Sequence, residues 1–330
     1  MDDGLIKKIK AAVAPRLKRG GHLFRFTRRI YKFLVHVNGA LLKRSINDLR
    51  KLSAKTGLLS ITVGKEGGCV VEFENHNKFW WKDPADPNHL LGMIVNDNHG
   101  QYEIKESKLV SAIVKSGDTV FDIGANFGWH SIDLRKIVGV GGVVYCFEPI
   151  PEAHQELTSN IKLNFPEASK NVITEMVAVG SYDGKTTIFV PTQLGAAFAT
   201  LIKNHHEKIS ASKSIEVPVI KLDTYVSRRG IKKIDFIKCD AEGAQSMVIE
   251  GASGTLKQQS APMILAEIGS EDQRDVFYRL EKLGYAAYYF TNNNLEKFVG
   301  YEMENLPDYN FLFLKPAHIK RVGGAIRIKE

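Results

Sequence analysis

The sequence is poor in the features that mark disulfide-bonded, secreted and membrane-spanning proteins. It has 3 cysteines in 330 residues, and Cys69, Cys146 and Cys239 show neither CxxC nor metal-ligand spacing. Its longest apolar runs have the length of strands, which excludes a membrane-spanning helix. The first residues lack the uninterrupted apolar stretch of a secretory signal. We therefore expect a cytoplasmic protein whose cysteines are buried as small hydrophobic residues.

Acidic residues are scarce in the first part of the chain. Residues 1–51 contain 14 Lys and Arg against 3 Asp and Glu, a balance of +11, whereas the remaining residues have a balance of −3. Within this basic arm, apolar residues recur on one face of a predicted helix: Phe26, Ile30, Phe33, Val37 and Leu41. Such a helix can lie on an anionic surface at the inner face of a membrane. It can also pack its apolar stripe on the main body or on a second subunit of a homo-oligomer.

The rest of the chain divides where the rhythm of predicted elements changes. Residues 52–107 form a small accessory region with strands, in which LLSITV and CVVEFE flank glycines typical of a hairpin. Over residues 108–316, strand-like segments such as NVITEMVAV (171–179) alternate with helix-like segments such as PEAHQELTSNIKLN (151–164), whose start is marked by Pro151, and LDTYVSRR (222–229). This alternation predicts an α/β fold with a mainly parallel, doubly wound sheet. Residues 317–330 are predicted to be a basic tail.

The stretch VFDIGANFGWHSI, residues 120–132, predicts a ligand site at the end of the first core strand. Gly124 and Gly128 allow the backbone to approach a ligand closely, and the following helix offers free N–H groups. Asp122 would repel a pyrophosphate, so a dinucleotide is disfavoured. The acid instead suits a cationic ligand such as the amino group of S-adenosylmethionine (SAM). Glu148, at the end of the next strand, can accept both hydroxyls of a ribose.

Several segments together resemble the FkbM-type methyltransferases: GDTVFDIGANFGWHSI, VYCFEPIPEAHQELTSNIKLN, VPVIKLDTYV, IDFIKCDAEGAQSMVIEGA and ILAEI. The resemblance implies an enzyme with a class I, Rossmann-like fold. Such an enzyme would use SAM to O-methylate hydroxyls of sugars and polyketide-type products. The chain departs from the family pattern at Gln245, where an acid is usual. The cofactor-binding residues expected from the two strand ends and their neighbours are Asp122, Gly124, Ala125, Asn126, Phe127, Gly128, Glu148, Pro149, Ile150, Ala178, Val179 and Asp240.

Acids at the ends of later strands are the candidates for the chemistry. An aliphatic hydroxyl is a poor nucleophile, so a base or a metal must take or polarise its proton. Lys238 and Asp240 share a face of one predicted strand, Glu242 follows it, and Glu267 ends the next strand. We expect Asp240 to be the central group, with Glu242 and Glu267 as partners and Lys238 as a neutralising charge. Asp240 and Glu267 could hold Mg²⁺, or the acids could form a hydrogen-bonded network without a metal.

Other side chains are weaker candidates for the same site. His130, His205 and His206 can titrate near neutrality. Tyr102 and Glu103 resemble a family segment near the cofactor. Three aromatic residues of the accessory region could stack on a sugar or form a core: Phe79, Trp80 and Trp81.

The expected acceptor is a hydroxyl of a glycan or of a glycosylated or polyketide-type small molecule. One alternative is an RNA 2′-O-methyltransferase, which the basic arm favours and the slightly acidic main body disfavours. The other is a non-catalytic module of the same fold that docks through the arm. The acids at the strand ends argue against a module without catalysis.

Overall fold

A computed structural model describes residues 58–63, 68–82, 103–167, 169–191, 212–268, 274–291, 294–300 and 308–329. The chain splits into two compact units, residues 1–102 and residues 103–330. The basic arm, Tyr102, His205 and His206 lie outside the described residues, so their roles stay predictions. Within the described ranges, no helix is long and apolar enough to cross a bilayer.

The described part of the first unit is a small antiparallel sheet. Its strands follow one another in space as in sequence: β1 (Leu58–Val63), β2 (Cys69–Phe73) and β3 (Lys78–Trp81). The antiparallel pairing of β1 with β2 confirms the predicted hairpin. Phe79 and Trp81 are completely buried, so these two rings form a core and cannot stack on a sugar. Trp80 is half-buried and stays a candidate for a sugar contact.

The second unit alternates strands with helices. Its strands in chain order are β4 (Thr119–Ile123), β5 (Val143–Phe147), β6 (Val172–Glu175), β7 (Ala178–Val179), β8 (Gly184–Pro191), β9 (Ser212–Ile220), β10 (Phe236–Cys239), β11 (Met263–Glu267), β12 (Ala286–Thr291), β13 (Asn294–Phe298), β14 (Asn310–Leu314) and β15 (Arg327–Lys329). Its helices are α1 (Ile104–Ile113), α2 (Trp129–Val138), α3 (Pro151–Asn164), α4 (Leu222–Arg229), α5 (Gln245–Gly251), α6 (Ser253–Lys257), α7 (Arg274–Lys282) and α8 (Pro316–Gly323).

The central sheet has the order β6-β5-β4-β10-β11-β14-β12-β13-β15. The strands from β6 to β11 are parallel, and β14 is antiparallel to both of its neighbours. The chain runs from β4 outward to β5 and β6, and later returns to the other side of β4 as β10. The strand order therefore reverses between β4 and β10, where open α/β sheets bind their ligands. The predicted class I, Rossmann-like methyltransferase fold is confirmed.

The two faces of this sheet differ in chemistry. Asp122 on β4 is in register with Lys238 on β10 and with Cys146 on β5, so the three side chains lie on one face. The alternate residues point to the opposite face, where Phe121 and Ile237 belong to a large apolar core. The polar face therefore leads directly to the strand ends at which the order reverses.

Two segments differ from their prediction. The predicted strand over residues 171–179 divides into β6 and β7, because β7 pairs with β9 in a separate small sheet of order β7-β9-β8. The predicted tail forms α8 and β15, and β15 pairs with β13 at the edge of the central sheet.

Candidate active site

The loop between β4 and α2 is held from two sides. The backbone N–H groups of Gly124 and Ala125 both donate to the carbonyl of Phe147 at the end of β5, each over 3.0 Å. On the other side, the amide of the buried Asn160 in α3 donates to the carbonyl of Phe127 over 2.8 Å. These bonds fix the loop before any ligand arrives.

Gly124 brings this loop against the end of β10. Its φ is +81°, and a Cβ at this position would lie 1.7 Å from the carbonyl oxygen of Asp240. The backbone N–H of Asp240 donates in turn to the carbonyl of Ile123 over 2.9 Å. Only glycine combines this conformation with so close an approach. The predicted cofactor loop and the predicted catalytic acid are therefore neighbours.

Asp122 offers one unused oxygen inside the protein. The side chain is 1% exposed, and its Oδ2 accepts a 2.5 Å hydrogen bond from the hydroxyl of Ser131. Its Oδ1 is buried and has no hydrogen-bond partner among the described residues. A buried carboxylate oxygen without a donor is costly. It therefore fits an incoming cationic donor such as the amino group of SAM.

Glu148, the residue predicted to contact the ribose of the cofactor, holds the backbone on both sides of this position. Its two carboxylate oxygens accept the N–H groups of Asn126, over 2.9 Å, and Ile150, over 2.8 Å. Burial raises the pKa of Glu148 to about 7, and the two amide bonds oppose this rise. Each carboxylate oxygen can accept a further bond, so the group can still receive ribose hydroxyls.

The structure also locates the other residues that the sequence predicts to contact the cofactor. Gly128 precedes α2 as its cap, and Pro149 lies half-buried between Glu148 and α3. Ile150 and Ala178 are buried in one apolar cluster. Val179 is buried in the large core, and the predicted cofactor contacts of these residues stay predictions.

Lys238 and Asp240 form an ion pair beneath the strand ends. Lys238 Nζ lies 3.1 Å from Asp240 Oδ2, and Lys238 is 5% exposed. Burial lowers the pKa of Lys238, but the nearby carboxylates of Asp240, Glu103 and Asp122 outweigh it and leave the pKa raised. Lys238 is therefore a fixed positive charge.

Glu242 follows β10 in the same loop as Asp240, and Glu267 acts on Asp240 from the end of the neighbouring strand β11. Burial, followed by the negative charge of Asp240, raises the pKa of Glu242. The charge of Asp240, followed by burial, raises the pKa of Glu267, while Lys238 opposes the rise. Glu242 follows β10 with a left-handed φ of 45°. The structure thus brings the predicted acids together at one place.

The arrangement does not support Mg²⁺, which is one of the two alternatives left open by the sequence. Among the described residues, no three His, Cys, Asp or Glu side chains are placed so that they could share a metal ion. Asp240 instead uses one oxygen for Lys238.

His130 and Glu103 join the same polar face. Nε2 of His130, in the first turn of α2, is hydrogen-bonded to Oε2 of Glu103 before α1. His130 is 7% exposed, and Glu103 has a left-handed φ of 49°. The charge of Glu103 also acts on Lys238 and Glu242. His130 and Glu103, two of the weaker candidates from the sequence, therefore interact with the charged residues around Asp240.

Two residues of the site were missed by sequence reasoning. Asn160 lies in the apolar stripe of α3, three residues after Leu157, and a polar residue in such a stripe is a usable signal. Ser131 has no comparable signal, because its role depends on how α2 packs on β4. Gln245, where the family usually has an acid, is buried as the first residue of α5.

Comparison with known proteins gives two methyltransferases of similar sequence. The hexuronic acid methyltransferase AglP of Haloferax volcanii is 27% identical over 183 residues, 55% of this chain and 68% of that protein. The 2-O-methyltransferase NoeI of Sinorhizobium fredii is 27% identical over 161 residues, 45% of this chain and 63% of that protein. The chain thus spans about two thirds of the length of these relatives.

Solved structures of lower sequence similarity include fibrillarin of Aeropyrum pernix with bound S-adenosyl-L-methionine. Its TM-score is 0.37 at 15% identity, covering 78% of this chain and 98% of that one. For a SAM-dependent O-methyltransferase of Thermotoga maritima the TM-score is 0.35 at 13% identity, covering 78% and 84%. Similarity at this level adds nothing to the topology described above.

The family model of the methyltransferase FkbM domain matches residues 122–287, half of the chain. The match begins at Asp122, continues through the loop and the converging acids, and ends within β12. The chain therefore belongs to the FkbM family of SAM-dependent methyltransferases.

Proposed function

We propose that the protein transfers a methyl group from SAM to a hydroxyl of a carbohydrate-containing acceptor. The observation that carries this proposal is the position of Asp240, which touches the Gly124 loop and pairs with Lys238. The names of the two relatives, for a hexuronic acid and for a 2-O-position, support a carbohydrate acceptor. No comparable observation supports an RNA acceptor or a non-catalytic module.

Asp122 and Glu148 would hold the cofactor at two places. The unbonded Oδ1 of Asp122 would accept a hydrogen bond from the amino group of SAM. The carboxylate oxygens of Glu148 would accept hydrogen bonds from the ribose hydroxyls. The backbone from Gly124 to Gly128 lies between them. Bound SAM supplies a methyl group on a positively charged sulfur, which keeps the carbon–sulfur electron pair when the methyl leaves.

Asp240 would accept a hydrogen bond from the acceptor hydroxyl and then take its proton. The raised pKa of Glu267 keeps that neighbouring carboxyl protonated at neutral pH, so it can donate a hydrogen bond beside Asp240. Lys238 fixes the orientation of Asp240 from below. Alignment of the hydroxyl by these groups can supply several kcal/mol of the rate enhancement.

Calorimetry and product analysis test the proposal. The purified protein is titrated with SAM, with its demethylated product S-adenosylhomocysteine and with NAD. We expect heats of binding for the first two and none for NAD. The protein is then incubated with SAM and a pool of neutral and acidic glycosides, and mass spectrometry is used to find methylated products. Binding of NAD without binding of SAM would contradict the cofactor assignment, and SAM binding without any methylated glycoside would contradict the acceptor class.

A further inference from the structure

A left-handed backbone at residues other than glycine is concentrated at the proposed reaction centre. In the described ranges it occurs at His76 in the first unit and at Glu103 (φ 49°), Asn126 (φ 47°) and Glu242 (φ 45°) in the second. This conformation is costly for a residue with a Cβ and tends to occur at functional sites. Asn126 belongs to the cofactor loop, and Glu242 to the acids after β10. Glu103 has the same backbone conformation but no role in the chemistry proposed above.

The side chain of Glu103 is directed to α2 and not to its own helix. Glu103 precedes α1 as its cap residue, but its carboxylate makes no capping bond to the described N–H groups of that helix. Oε2 is instead hydrogen-bonded to Nε2 of His130, in the first turn of α2. His130 is 7% exposed. This buried bond holds the start of α1 against the helix that follows the cofactor loop.

The same turn of α1 is bonded to β14. The carboxylate of the buried Glu106 accepts a 3.0 Å hydrogen bond from the side-chain amide of Asn310, the first residue of β14. Asn310 is in register with Glu267, the last residue of β11. The first turn of α1 is therefore held at the carboxyl edge of the sheet, next to one of the acids of the reaction centre.

The two anchors place this turn across the reaction centre. The helix α2 follows β4, and the sheet order from there is β4-β10-β11-β14. The strands β4 and β14 are three strand spacings apart, roughly 14 Å. A turn held between His130 and Asn310 must therefore pass β10 and β11, whose ends carry the converging acids. In agreement with this position, the charge of Glu103 acts on Lys238 and Glu242.

The far end of α1 is fixed as well. The guanidinium of Arg321 donates to the carbonyl of Ile113, the last residue of α1, over 2.8 Å. The 10 residues of α1 span about 15 Å, close to the height of the sheet at the 5 residues of β4, about 16 Å. The helix thus runs from one edge of the sheet to the other and is bonded at both. Its first turn is held in place before an acceptor binds.

We propose that the first turn of α1 is a wall of the acceptor site, and that Glu103 and His130 are positioning residues. The inference rests on the proposed function and adds a part of the site, Glu103, that lies outside the matched residues 122–287. The wall confines the acceptor over the strand ends. The hydroxyl oxygen then bonds to the methyl carbon, sulfur keeps the carbon–sulfur electron pair, and the hydroxyl proton passes to Asp240. The bond between Glu103 and His130 sets the separation of the wall from the cofactor loop.

Steady-state kinetics of His130 variants test the inference. The full chain is assayed with methyl-labelled SAM and 4-nitrophenyl glycosides of glucose, galactose, xylose, glucuronic acid and galacturonic acid, and the glycoside that takes most label is used. His130→Ala removes the bond to Glu103, so KM for that glycoside should rise about tenfold, whereas Kd for SAM should change less than about threefold. The cofactor loop is held separately through Phe147 and Asn160. His154→Ala, at a half-buried histidine of α3, is the matched control.

A conservative variant separates positioning from other roles of the imidazole. His130→Gln places an amide donor near the position of Nε2, so it should restore most of the normal KM. If His130→Gln is impaired as strongly as His130→Ala, the imidazole itself acts in the reaction and the inference fails. An unchanged KM in His130→Ala would also overturn it. So would a loss of SAM affinity as large as the rise in KM, because the pair would then support the cofactor loop.

The second anchor gives an independent test. Asn310→Ala removes the bond to Glu106, so KM for the glycoside should rise about threefold to tenfold. Lys105→Ala is its control, because this exposed lysine lies in the same turn and pairs with Asp308 at the surface. An unchanged KM in Asn310→Ala, or an equal rise in Lys105→Ala, would contradict a wall held at two points. Absence of label from the unaltered chain on every glycoside, with SAM bound, would instead refute the proposed function.

Discussion

Asp240 is the residue on which the proposed chemistry depends most. It adjoins the cofactor loop through the backbone of Gly124 and is held by Lys238. Asp240→Asn keeps the shape and removes the proton acceptor, so turnover should fall by roughly 10²–10⁴. Affinity for SAM, measured by calorimetry, should change much less. Glu250→Gln serves as the control for loss of one negative charge. Near-normal turnover of Asp240→Asn on a true acceptor would make Asp240 a structural residue.

Glu148 should make SAM binding depend on pH. Burial raises its pKa to about 7, so the native protein holds this proton more tightly than the unfolded chain does. The contribution of Glu148 to the free energy of unfolding therefore falls as the pH rises from the ordinary pKa of a glutamate toward 7. Ribose hydroxyls need the ionised carboxylate as acceptor. Affinity for SAM should therefore rise, by up to about tenfold, between pH 6 and pH 8.

The variant Glu148→Gln distinguishes the titration of Glu148 from that of the other carboxyl groups of the site whose pKa is raised. It should weaken SAM binding by about 1–3 kcal/mol and remove most of the pH dependence. Calorimetry at three pH values measures both effects. If the variant keeps the full pH dependence, the titrating group lies elsewhere in the site, with Glu242 and Glu267 as the candidates.

At the scale of elements, the approach of the cofactor loop to β10 can be tested against a matched glycine. Gly117 has a φ of +89° and open space where a Cβ would lie, whereas the Cβ of Gly124→Ala would lie 1.7 Å from the carbonyl oxygen of Asp240. Gly117→Ala should therefore cost only the conformational strain, about 1–2 kcal/mol. Gly124→Ala should cost more in urea unfolding and should weaken SAM binding. Equal costs would show that the close approach is not required.

The helix α8 is tied to the amino ends of the central strands through Arg321. Its guanidinium donates to the carbonyl of Ile113 over 2.8 Å, is bonded to the buried Asp118 and lies 3.8 Å from Asp235. Arg321→Ala removes these bonds to a buried carboxylate and a backbone carbonyl, so the free energy of unfolding should fall by about 1–3 kcal/mol. The exposed Lys320→Ala should change it by less than about 0.5 kcal/mol. Similar losses in the two variants would contradict a specific role for Arg321.

At the scale of the whole molecule, the positive charge concentrated in residues 1–51 predicts that this arm binds anionic membranes independently of catalysis. Deletion of this arm should abolish binding to anionic vesicles and leave methylation of a soluble acceptor intact. Binding of the full chain to vesicles should fall steeply with salt, since the contact is electrostatic. Vesicle sedimentation with and without the arm measures this. If the deletion variant precipitates or changes its oligomeric state, the apolar stripe covers protein and not a membrane.

Local sequence was sufficient for elements that carry their own signals. The bounds of α3 and α4 agree with the prediction, because Pro151 marks the start of the first and Gly230 the end of the second. Local sequence was insufficient where pairing partners decide the outcome. Residues 171–179 have continuous strand character, yet β6 and β7 join different sheets. The predicted tail carries basic residues typical of a solvated segment, yet α8 gains a partner in the buried Asp118.

The sequence by itself determined the fold class, the loop around Gly124 and the candidate acids, because strand–loop–helix units and the residue types at their ends are local patterns. It could not decide which side chains meet. The tertiary structure places Lys238 beside Asp240 and brings Glu267 from another strand to them. It also joins His130 to Glu103 across 27 residues. Such contacts depend on strand order and helix packing, which only the folded chain sets, and they fix the charges on which the proposed chemistry depends.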